Sequence, residues 1–92
     1  MINMNDMELL PKLQDRYMRM LDIRATYDKA YEEYSKQAEG LNTWRERDDC
    51  YTIVMNKYGL SKNIHVPSKA EISTLGVMIR KIMLDQERNI SN

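Results

Sequence analysis

The sequence predicts an all-α chain, a small three-helix bundle built around one long N-terminal helix. Three observations carry that reading. Apolar residues recur at steps of three and four from Leu10 to Leu41, over more than four heptads. Three capping boxes, Asn5 with Glu8, Thr43 with Glu46 and Ser68 with Glu71, mark helix starts. Two Gly-Leu pairs, Gly40-Leu41 and Gly59-Leu60, mark helix ends.

The first helix, about residues 6–39, presents Leu10, Leu13, Tyr17, Met20, Tyr27, Tyr31, Tyr34, Ala38 and Leu41 as one stripe, interrupted at Arg24. Asn5 is expected to cap it, and Gly40 to end it as a left-handed residue with Leu41 as the apolar partner of a Schellman motif. Pro11 conflicts with a continuous helix, so residues 5–10 are expected as a separate turn with Pro11 opening the main helix. Residues 11–39 would span roughly 40–45 Å, more than a compact domain of this size needs. Part of the helix is expected to project or to pair with another chain.

The second helix, about 44–58, places Trp44, Tyr51, Val54, Met55 and Tyr58 on one face, with Cys50 at its edge and Arg47 facing inward. The short connection from Gly40 forces an antiparallel hairpin of helices one and two. A nine-residue loop, 59–67, follows without helical period, and Ile64 and Val66 are spaced to drop two side chains onto the core from an extended segment. The third helix, about 69–88, has the stripe Ile72, Leu75, Met78, Ile79, Ile82 and Met83. Ala70, Val77 and Leu84 recur every seven residues on the opposite side, flanked by Arg80, Lys81 and Arg88. That second stripe is either incidental surface or a narrow seam for another helix.

Ninety-two residues form one small domain with little stability to spare. Fourteen Lys and Arg balance fourteen Asp and Glu, so no global field favours nucleic acid, membrane or an acidic substrate. Only the span 57–83 is locally basic, with Lys57, Lys62, Lys69, Arg80 and Lys81 against Glu71. The single cysteine, Cys50, excludes an internal disulfide and fits a reducing compartment. No signal-peptide pattern or membrane-length apolar run is present, so a cytoplasmic location is expected.

Chemistry is sparse. Cys50 and His65 lie on different elements, which excludes the four-ligand spacing of structural zinc, and no metal or other cofactor is expected. His65 sits in the loop with no nucleophile signature around it, and Glu32-Glu33 and Asp48-Asp49 are neighbours that point about 100° apart on a helix. No catalytic residue is assigned, and an enzyme is not expected.

Tyrosine and arginine are the features left. Tyr17, Tyr27, Tyr31 and Tyr34 share the stripe of helix one with Arg24 among them, and Arg16 and Arg47 lie near the same surface. An arginine on an apolar face snorkels, pairs with an acid such as Asp28, stacks on an aromatic ring, or meets a partner's anion. Eight methionines serve as gap-fillers of a small core or as an adaptable binding surface. The function these features suggest is that of a non-catalytic protein-binding module: a regulator, adaptor or inhibitor of the type common among phage and mobile-element accessory proteins. Arg24, Tyr27, Tyr31, Tyr34, Val77 and Leu84 would contact another protein or a second copy, with a dimer as the first expectation. The alternative is a nucleic-acid-associated regulator using Lys57, Lys62, Lys69, Arg80 and Lys81. A further alternative is sequestration of a small nucleotide-like anion, stacked on tyrosine and held by arginine.

Overall fold

A computed structural model describes residues 4–61 and 63–91, with side chains described for 8–61 and 63–88. The described residues form three helices, α1 (Met4–Ala38), α2 (Trp44–Lys57) and α3 (Lys69–Ser91). The described residues contain no strand. The all-α class and the long first helix therefore match the sequence reading.

Helix boundaries agree in part with the capping signals. Thr43 is extended at φ −106° and ψ 151°, and its hydroxyl accepts the Glu46 N–H at 3.2 Å. The Ser68 hydroxyl accepts the Glu71 N–H at 3.1 Å in the same way. At the end of α2, Gly59 takes φ 76°. The Gly59 N–H donates to the Asn56 carbonyl at 3.0 Å, and the Leu60 N–H to the Met55 carbonyl at 2.8 Å. These two bonds make a Schellman motif, completed by the burial of Met55 and Leu60 in one cluster.

Three expectations about α1 need correction. The helix begins at Met4, so Asn5 lies inside it instead of capping it. It also continues through Pro11, and 5–10 is not a separate turn. Proline's fixed φ is already helical, and the one hydrogen bond it forgoes falls within two turns of the helix start, beside an exposed ring. At the other end Gly40 is not left-handed. Leu41 N–H instead closes a four-residue turn on the Ala38 carbonyl at 3.0 Å, and Arg47 Nε donates to the Leu41 carbonyl at 3.1 Å. That bond keeps Arg47 at the exposed hairpin turn, not on the inward face.

The chain forms two compact units: the described residues up to Leu21 with those from Pro67 onward, and Asp22–Val66. In the second unit α2 runs antiparallel to the C-terminal half of α1, since Cys50 meets Gln37 while Lys57, seven residues later, meets Glu33, four residues earlier. Ala30, Val54, Met55 and Leu60 form its centre, ringed by half-buried Ile23, Tyr27, Tyr34, Cys50, Tyr51 and Tyr58. Ala30 is fully buried, whereas Tyr31, on the expected stripe, is 48% exposed. Tyr34 and Ala38, further along the same stripe, stay on the packed face with Tyr27, so Tyr31 stands at the edge of that face while Ala30 fills its centre. Trp44 is 81% exposed and not in the core face, because it opens α2 before that helix closes on α1. Ile64 also stays exposed and Val66 is half-buried, so these two are not the side chains the loop buries; those are Leu60 and Pro67.

In the first unit Ile72, Leu75 and Ile79 of α3 are buried. Gly76 lies so close to Tyr17 that an added Cβ would stand 3.2 Å from the ring. Met78 and Met83, expected in the α3 core, are 49% and 48% exposed. Packing against a single helix buries a narrow arc, and these two residues lie at its edges.

Candidate functional site

Residues 27, 31 and 34 stand one turn apart in succession, so the α1 tyrosines stack along one side of the helix. Ring centres of Tyr27 and Tyr31 are 5.9 Å apart, and those of Tyr31 and Tyr34 are 5.7 Å apart. Tyr51 of α2 extends the series, meeting Tyr34 edge to face at 5.2 Å, the geometry that the ring quadrupole favours. Tyr31 is the outermost ring and the most exposed of the four.

Arg24 closes the other end. Its guanidinium carbon lies 5.6 Å from the Tyr27 ring centre, and its Nη2 pairs with Asp28 at 3.2 Å. Its Nε is buried and has no hydrogen-bond partner. The internal pair and the stacking both weighed for an arginine at this position are therefore present together, with one donor left over.

Beside Tyr27 and Tyr51 runs an open groove of about 350 Å³ between α1, α2 and the loop after α2. Met55, Leu60, Ile64 and Val66 supply apolar lining, and Asp48, Thr52, Asn56 and Ser61 supply polar groups. Thr52 is turned back on its own helix, donating to the Asp48 carbonyl at 3.1 Å. Burial raises the Tyr51 phenol above its ordinary value of 10.0, assisted by a hydrogen bond with Tyr27 and by the neighbouring tyrosines, so this ring stays neutral. At the far side Lys57 Nζ meets Glu33 Oε1 at 2.6 Å, and that hydrogen bond and the carboxylate charge raise the ammonium's pKa.

The sequence-chosen Arg24, Tyr27, Tyr31 and Tyr34 are thus brought together. Val77 and Leu84 belong to the other unit and are exposed on α3 one heptad apart, at 65% and 48%. Tyr51 and the groove escaped sequence reasoning. The signal available was Tyr51 on the inward face of α2, which the antiparallel hairpin had to bring against one of the α1 tyrosines. Of the basic residues, Lys69, Arg80 and Lys81 are exposed, Lys57 is engaged by Glu33, and Lys62 lies outside the described residues. Among the described residues no three His, Cys, Asp or Glu side chains are grouped to hold a metal ion, and no helix is long and apolar enough to cross a membrane. No family model, curated protein or solved structure matches the chain.

Proposed function

We propose that the chain is a non-catalytic protein-binding module that regulates or inhibits another protein by occupying its surface. The observation that supports this reading is the tyrosine series, edged by Arg24 and bordered by an open apolar groove with polar groups around it. Tyrosine and arginine bury large area at low entropic cost while keeping a polar handle, which is why they dominate interface energetics. The chemistry that fits is a segment with an apolar or aromatic anchor and a nearby carboxylate. The anchor enters the groove beside Tyr27, and the carboxylate meets the partly exposed guanidinium of Arg24. Val77 and Leu84 add a separate apolar stripe.

The test compares affinity capture by the native chain with capture by Tyr31→Ala and Arg24→Ala, from lysate of the source cell with and without nuclease. A protein retained by the native chain and lost by both variants supports the reading. Capture unchanged in the variants, or abolished by nuclease, overturns it. The second outcome would transfer the role to Lys69, Arg80 and Lys81.

A further inference from the structure

Four of the chain's six tyrosines form one connected group in the Asp22–Val66 unit. From Tyr27 through Tyr31 and Tyr34 to Tyr51, successive ring centres are 5.9, 5.7 and 5.2 Å apart, and a hydrogen bond between Tyr51 and Tyr27 closes the series on itself. Those spacings bring ring faces and edges into contact. An electron removed from one ring is therefore readily replaced from the next. Tyr31 is exposed, while Tyr27, Tyr34 and Tyr51 are half-buried. The other two tyrosines have different neighbours: Tyr17 lies against Gly76 in the other unit, and Tyr58 lies beside Lys57.

The hydrogen bond selects which two rings can join. A phenoxyl radical carries its spin on the oxygen and on the ring carbons ortho to it, and two such radicals couple through those carbons. Tyr27 and Tyr51 meet hydroxyl to hydroxyl, so their ortho carbons are brought near each other across the two helices. Both rings also line the open groove between α1, α2 and the loop after α2. Hydroxyl protons released on oxidation thus have a path to water.

We propose that the series is an oxidative modification site: a one-electron oxidant acts first on Tyr31, and Tyr27 and Tyr51 couple into a dityrosine that ties α1 to α2. The oxidant is a haem peroxidase supplied with hydrogen peroxide. The electron lost by Tyr31 is replaced from Tyr27, its direct neighbour, or through Tyr34 from Tyr51. Tyr27 and Tyr51 each give up their hydroxyl hydrogen as an electron and a proton. Their ortho carbons then join in one C–C bond, and each ortho hydrogen moves to its own ring's oxygen to restore the phenol. The two electrons and two protons reduce one peroxide molecule to two waters. The new bond closes the chain between residues 27 and 51 as a disulfide would, which restricts the unfolded state. The inference goes beyond the partner-binding reading and does not rest on it, since it concerns the chemistry of the free chain.

Treatment of the full chain with a haem peroxidase and hydrogen peroxide tests it, followed by thiol reduction and tryptic mapping. Cleavage after Arg24, Lys29, Lys36, Arg47 and Lys57 puts Tyr27, the pair Tyr31 and Tyr34, and Tyr51 on three separate peptides. The expected product is a single chain with dityrosine fluorescence, in which the Tyr27 and Tyr51 peptides are joined and together lighter by two hydrogens. Its thermal midpoint should lie above that of the untreated chain. Tyr27→Phe and Tyr51→Phe should each lose the joined peptide, and Tyr17→Phe and Tyr58→Phe should keep it. Tyr31→Phe should slow its formation severalfold. Phenylalanine keeps the ring packing, and helical circular dichroism checks that each variant folds. Absence of dityrosine in the native chain overturns the inference, as do dityrosine formed only between chains and a link that joins other peptides. A rate left unchanged by Tyr31→Phe overturns it too.

Discussion

The guanidinium of Arg24 lies over the Tyr27 ring at 5.6 Å and pairs at the same time with Asp28 one turn ahead. Both contacts are partly exposed and local to one helix, so together they stabilise the fold by about 1 kcal/mol at most. Arg24→Ala should therefore lower the thermal midpoint by no more than about 4–8 °C. Arg24→Lys should fold equally well yet recover little of the partner binding, because an ammonium offers neither the planar stack nor the fork. Full binding by the lysine variant would show that only charge matters at this position.

The two Gly-Leu pairs should respond oppositely to alanine. Gly59 holds φ 76°, where an L side chain is strained, so Gly59→Ala should cost about 1–2 kcal/mol. Gly40 has an ordinary φ and open space around its Cα. Gly40→Ala should be neutral or stabilise by up to about 1 kcal/mol through the unfolded chain. Urea denaturation of the two variants reads the difference directly.

Adjacent residues of α2 make a sharper contrast. Val54 is 1% exposed at the centre of its cluster, and Ile53 beside it is 67% exposed. Val54→Ala should cost about 2–3 kcal/mol by leaving a cavity, whereas Ile53→Ser should shift stability by less than about 0.5 kcal/mol. A large loss at Ile53 would reveal a contact that the folded monomer does not make.

Alkali should weaken the protein. The Glu33 hydrogen bond and charge raise Lys57 above its ordinary 10.5, and burial followed by the Tyr27 bond raises Tyr51 above 10.0. A group whose pKa is higher in the folded state gives stability that is complete below the unfolded value and is lost as pH rises through the folded one. Unfolding free energy should thus fall with a negative slope above about pH 10. Tyr51→Phe should flatten that slope, and an unaltered slope would remove Tyr51 from the explanation.

Local rules carried well from sequence to structure where the chemistry was itself local. Thr43, Ser68 and Gly59 behave as their neighbours dictate, because a cap needs only three or four consecutive residues. Errors arose where position along a long helix mattered. The apolar spacing of α1 puts Tyr31 on the stripe and passes over Ala30, whereas the face that meets α2 centres on the small Ala30 and leaves Tyr31 at its edge. Type and spacing put Trp44, Met78 and Met83 on core faces, but their exposure depends on how much partner surface each helix meets. Sequence periodicity does not contain that quantity. For the same reason the tyrosines and Arg24 could be grouped from sequence, while the groove beside Tyr51 needed the hairpin and its following loop to be placed together.

Trp44 is the chain's only tryptophan and stands almost fully in solvent at the opening of α2. Its fluorescence in the free protein should resemble that of indole in water and change little when the chain unfolds. The optical record of folding then falls to the clustered tyrosines. The indole is left as an unlabelled detector, turning blue only when another molecule covers the start of α2.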